Sequence, residues 1–161
     1  MRQFIIAAAA AAFIGGMTAA IAQHNHSHSA TPAPAAPVSD TREFVRFPEP
    51  LVEHTLANMR DHLLALQEIQ EHLGMGHMDV AARIAETRLG MSSLGLHGAH
   101  DVAKYMPQGM QDAGTAMHKA ASQFVIVATD SGVTGDMKPV FSALANLTST
   151  CVGCHAGYRI K

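Results

Sequence analysis

Near the end of the chain, two thiols and an imidazole stand in the run Cys151-Val152-Gly153-Cys154-His155. This is a C-x-x-C-H, the attachment signal of a c-type haem. The spacing has a geometric reason. At about 100° per helical residue, Cys154 lies about 60° to one side of Cys151 and His155 about 40° to the other. All three side chains therefore leave one helix face. From that face two thiols can add to the two vinyl groups of one porphyrin edge while the imidazole reaches the iron. One ring nitrogen would bind, and the other stays free for a hydrogen-bond acceptor.

Other uses of the same residues fit less well. A thioredoxin-like redox pair sits at a strand-to-helix junction, and no strand is visible around Cys151. A structural zinc site needs about four ligands, and there is no second Cys pair. A disulfide between residues three apart would strain a helix and close almost no loop.

The elements that position these residues are helices. Of 161 residues, 48% are hydrophobic, 15% charged and 5% aromatic, enough for one domain with a core. Eleven His and ten Met point to metal chemistry. The formal charge is −2 with scattered basic residues, which gives no footprint for nucleic acid or polybasic membrane docking. Residues 1–22 read as a secretory signal: Arg2, an Ala-rich apolar run and the small-x-small site Ala20-Ile21-Ala22. Export to a bacterial periplasm follows, with no membrane insertion after cleavage. Residues 23–41 read as a flexible His/Pro/Ala-rich linker. Its His24, His26 and His28 could hold Cu(II) or Zn(II) weakly, or serve only as a soluble tail.

Residues 42–161 read as a four-helix haem-binding domain. Pro48-Glu49-Pro50 opens the first helix, with Val52, Leu56, Met59, Leu63, Leu66, Gln70 and Leu73 as its inward stripe. Gly74-Met75-Gly76 stops it. Asp79 caps a second helix through Val80, Ile84, Thr87, Met91 and Leu94, ended by Gly95 and Gly98. Tyr105-Met106-Pro107 opens a third with Met110, Met117, Ala121, Phe124 and Val127 inward, and Thr129 to Gly135 reads as a polar turn. The fourth starts near Asp136 and carries Val140, Phe141, Leu144, Leu147, Cys151 and Cys154 inward, ending near Tyr158. An all-α, antiparallel up-down-up-down bundle is the simplest arrangement of four such helices.

The run Cys151-Val152-Gly153-Cys154-His155-Ala156-Gly157-Tyr158-Arg159, closing an exported four-helix chain, resembles the cytochrome c′ family. The resemblance covers about residues 48–161 in layout, and only the last ten form a sharp motif. It implies one covalent haem c at one end of the bundle, with Tyr158 packing near the ring and Arg159 beside the proximal His155. An ordinary role for Arg159, balancing the helix dipole, is equally open. The family has two branches: one binds small gases such as NO and CO at an open iron position, and the other places a Met from the first helix on the iron and carries electrons. Met59 lies about ten residues into the first helix on its inward stripe, the position that corresponds. As a thioether it suits the sixth coordination position, although Met also fills core gaps.

His62, one turn later and deeper, is a rival distal ligand, and so are His97 and Met110. His100 and Met106 lie at the same end. The two His of that connection read as loop-surface groups and the Met residues as pocket lining. His54, His72, His77 and His118 show no metal spacing and read as solvated. No nucleophile motif, carboxylate pair or phosphate loop indicates an enzyme. The expectation is thus a periplasmic mono-haem cytochrome passing single electrons between redox partner proteins, and the alternative is a high-spin, gas-binding protein. A metal-handling role for the His-rich tail is a third, weaker possibility. Dimers are common in the family, but no single exposed patch on the first two helices marks an interface.

Overall fold

The computed structural model describes residues 39–160; the expected signal at 1–22 and most of the expected linker, including His24, His26 and His28, lie outside them. The described chain is mostly helical. Its elements are β1 (Glu43–Phe44), α1 (Glu49–Gly74), α2 (Met78–Arg88), a 3₁₀ turn (Met91–Ser93), α3 (Ala99–Ala103), α4 (Gln108–Thr134), α5 (Lys138–Gly157) and β2 (Tyr158–Arg159). No described helix is long and apolar enough to cross a membrane.

α1 begins where the Pro48-Glu49-Pro50 entry predicts, with Pro48 at its N-cap and Glu49 in the first turn. It ends at Gly74, and Gly76 adopts φ 78° to reverse the chain, a conformation that costs glycine nothing. The inward face differs from the predicted stripe. Thr55, Ala65, Ile69 and Leu73 are buried, whereas Leu63 is 70% exposed and Gln70 also faces solvent. Ala65 sits in a core that α2 reaches through Ala81, Ala82 and Ala85. Small residues let two helices approach closely, so alanines rather than the largest hydrophobes set the buried face.

α2 stops at Arg88, short of the expected Leu94. Gly90 turns the chain: its N–H bonds back to the Ala85 carbonyl at 2.7 Å, and a Cβ there would collide with Glu86. Arg88 is held by ion pairs to Asp61 and Glu68 on α1. The short α3 was not anticipated. α4 starts at Gln108 after Pro107 and runs through Thr134, so the expected polar turn at Thr129 to Gly135 is helix instead. Ala128 and Ser131 are buried there, with Thr129 and Asp130 on the solvent side. Gly135, at φ 74°, ends the helix.

In α5, Asp136 Oδ1 accepts the Lys138 N–H at 3.0 Å. Val140, Leu144 and Leu147 are buried, but Phe141 is 59% exposed rather than inward. Residues 140, 144 and 147 continue by the 3-4 repeat to 151 and 154; position 141 falls off that line. The main packing pairs are α1 on α2, α2 on α4 and α4 on α5. Phe124, Ile69, Leu147 and Val140 are fully enclosed between them.

Two-residue strands tie the ends of the described segment together. β1 pairs with β2 in parallel, Glu43 opposite Tyr158 and Phe44 opposite Arg159. The Val45 N–H continues the pairing to the Arg159 carbonyl at 2.8 Å. The core assignments lead to a contrast measurable by urea unfolding: Phe124→Ala should cost about 3–5 kcal/mol, while Phe141→Ala should stay within ~0.5 kcal/mol of the parent.

Candidate functional site

The last two turns of α5 carry the chemistry. Both cysteines are free thiols, each half-buried. Cys151 packs against the helical core and its Sγ lies 3.8 Å from the Leu147 carbonyl, the helical i−4 position. Burial pushes both thiols up, and Cys151 adds to the effect on Cys154; both are therefore protonated at neutral pH. Cys154 and the exposed His155 open onto a cleft of about 410 Å³, within the ~300–1,000 Å³ of small-molecule sites.

Several elements build that cleft. α1 supplies Met59 and His62, the connection after α2 supplies Leu94 and His97, and α3 supplies Val102. Met106, Met110, Met117 and His118 come from the entry to α4 and from α4 itself. Tyr158 and Arg159 close the α5 side. Met59 therefore shares one cavity with Cys154 and His155, and so do the alternatives His62, His97 and Met110. Among the described residues no group of three His, Cys, Asp or Glu is disposed to hold a metal ion by itself.

The residues present fit a large apolar ring system with an iron centre. The wall is rich in Met and aliphatic side chains, two reduced thiols stand three residues apart on one helix, and an imidazole follows directly. Thr55 lines the same cleft, and its Oγ1 is buried without a hydrogen-bond partner. An orphaned buried hydroxyl of this kind is costly and marks a wall that a bound group would complete.

Tyr158 lies against the start of α4. A Cβ on Gly109 would collide with its hydroxyl, so glycine at 109 is what lets the ring approach. Arg159 stacks over the Phe44 ring at 4.8 Å, with Arg46 at 5.2 Å from the same ring. Arg159 Nε faces Asp40 Oδ2 at 3.3 Å, an ion-pair distance without hydrogen-bond alignment. Asp40 is also gripped by Arg42, whose hydrogen bonds hold its carboxyl at about 2. The segment preceding β1 thus fixes Arg159 at the cleft's rim.

The histidines depart from expectation. His100 is exposed, as its loop position suggests, but His97 and His118 are buried at 6% and 7%. The His97 carbonyl accepts from His54 Nε2 at 2.9 Å and from Asn58 Nδ2 at 3.0 Å. His118 Nδ1–H donates to the Leu89 carbonyl at 2.7 Å, satisfying a group left over where α2 ends. Ser92 and Ser122 tie Glu86 to the same connection. His62 lies beside both buried rings, with ring centroids 4.5 Å from His97 and 6.4 Å from His118. Positions 62, 97 and 118 are scattered in sequence, and no local spacing could have joined them. The only hint was the excess of His in the composition.

No family model, curated protein or solved structure matches this chain.

Burial, reinforced by the neighbouring His97 and His118, pushes His62 down to about 4. The folded chain thus keeps this imidazole neutral, while the unfolded chain takes a proton near ~6.5. Stability should be fully present above pH ~6.5 and fall progressively as pH drops toward 4. His62→Phe should flatten that slope in urea midpoints measured across the range; an unchanged slope would assign it to other groups.

Proposed function

We propose that the chain is a periplasmic mono-haem c-type cytochrome, similar to the cytochrome c′ family in its low-spin branch, passing single electrons between redox partner proteins. In this reading α1, α2, α4 and α5 form the antiparallel four-helix bundle, and α3 with the 3₁₀ turn belongs to the connection that walls the haem end. The observation that carries the proposal is that Met59 of α1 opens onto the same apolar cleft as Cys154 and His155 of α5. Neither residue alone would be informative.

The role of each residue follows from its chemistry. Cys151 and Cys154 anchor the haem through two thioether bonds. His155 would hold the iron through a ring nitrogen, and Met59 through its thioether sulfur. Bound haem supplies a one-electron couple at iron, and His/Met ligation raises its potential. The low-dielectric wall of Met and aliphatic side chains excludes water, and two neutral ligating side chains would limit rearrangement when the charge changes. Tyr158 packs near the ring, and Arg159 holds positive charge at its edge. No acid–base pair or nucleophile of an enzyme is assigned in this reading.

Visible spectra separate it from the gas-binding alternative. The reduced protein should show sharp, split α and β bands and respond slowly to carbon monoxide. Met59→Ala should convert it to a broad high-spin spectrum that changes at once with the gas. A parent protein already broad and gas-reactive would remove Met59 from the iron and favour the alternative. A Met59→Ala spectrum identical to the parent would assign the distal position to another residue.

A further inference from the structure

The electron-transfer reading leaves one cluster unused. His62 from α1, His97 from the connection after α2 and His118 from α4 meet on one wall of the cleft. His62 Nε2 lies 3.4 Å from His97 Nδ1 and 3.3 Å from its Nε2. The rings of His97 and His118 stand 5.4 Å apart and tilted by 32°. A neutral imidazole carries one N–H and one lone pair. The N–H of His118, on Nδ1, is taken by the Leu89 carbonyl, which leaves a lone pair on Nε2. At most one more N–H lies between His62 and His97. Ser93 Oγ, 3.5 Å from His97 Nδ1, can accept another. With the His62 proton on Nδ1, its Nε2 accepts from His97 and its own N–H is left to face the cavity or the solvent near it.

These groups are also held in place before any guest arrives. The His97 backbone is fixed by His54 and Asn58, and Ser93 Oγ lies 3.5 Å from His97 Nδ1 and 3.4 Å from His118 Nδ1. Polar groups preorganised in an apolar cavity interact more strongly than in water, and an incomplete set of partners is costly there. Around a haem, the donors on the ligand side decide which small molecules are held.

We propose that His62 and His97, on the wall that His118 braces, form a hydrogen-bonding subsite for small anionic or polar ligands of the haem iron. Once Met59 is not on the iron, the cleft favours hydrogen-bond acceptors over carbon monoxide. This inference rests on the haem reading above. By sequence alone His62 reads as a rival ligand, His97 as loop surface and His118 as solvated; here His62 and His97 act through their N–H groups and not as ligands, and His118 fixes the connection that carries His97.

The test uses the full haem-loaded chain carrying Met59→Ala, with azide titrated onto the oxidised form and carbon monoxide onto the reduced form. Adding His62→Phe should weaken azide by about tenfold to a hundredfold, the loss of one hydrogen bond to a charged acceptor, and leave carbon monoxide within about threefold. His62→Gln, which keeps a donor, should recover most of the azide affinity, and the infrared stretch of bound azide should shift only in the Phe variant. Unchanged azide affinity, or parallel losses for both ligands, overturns the subsite while the coloured protein keeps the haem reading intact. A colourless chain overturns both.

Discussion

A helix can point three side chains at one object only if it stays helical through all of them and something keeps its neighbours from filling the space. At the end of α5, Cys154 and His155 line the cleft, and Cys151 sits one turn back against the core. The helix runs to Gly157, beyond His155, so residues 151, 154 and 155 keep their common face. Past that point the chain cannot simply fray. β2 is pinned to β1, and Tyr158 is seated over Gly109. The chain before α1 thus holds the end of α5 at the rim of the cleft.

The space itself is kept open by polar ties rather than apolar packing. Phe124, Ile69, Val140 and Leu147 close the core, while the cleft end is spanned by the connection between α2 and α4. That connection is fixed from α1 by His54 and Asn58 and from α4 by His118 and Ser122. Hydrogen bonds set a distance where apolar contact would collapse it. The cost is that burial holds the His62 imidazole neutral. The same groups that hold the cavity open line its wall.

Much of this was legible in the chain. The helix entries at Pro48 and Pro107 and the stop at Gly76 are local signals, and local chemistry decides them. Met59 was placed on the cleft by its register relative to Pro48. The inward stripe of α1 was misjudged because Ala65 packs closely yet scores weakly, while Leu63 scores strongly and faces solvent. The span Thr129 to Gly135 looked like a turn because its polar residues dominate, and buried Ala128 and Ser131 are too small to announce a helix face. β1 and β2 are two residues each, too short for any alternation. The histidine cluster joins positions separated by 35 and 21 residues, and only tertiary structure can bring such positions together.

The central claim is covalent haem on Cys151 and Cys154, and the most direct measurement is the intact mass of the secreted protein made alongside a c-type haem maturation apparatus. The account predicts the processed chain plus one haem, retained after denaturation in acid and organic solvent. It also predicts that the chain with both Cys151→Ala and Cys154→Ala loses that increment. A bare chain mass from the parent, or colour that washes out under those conditions, would contradict it.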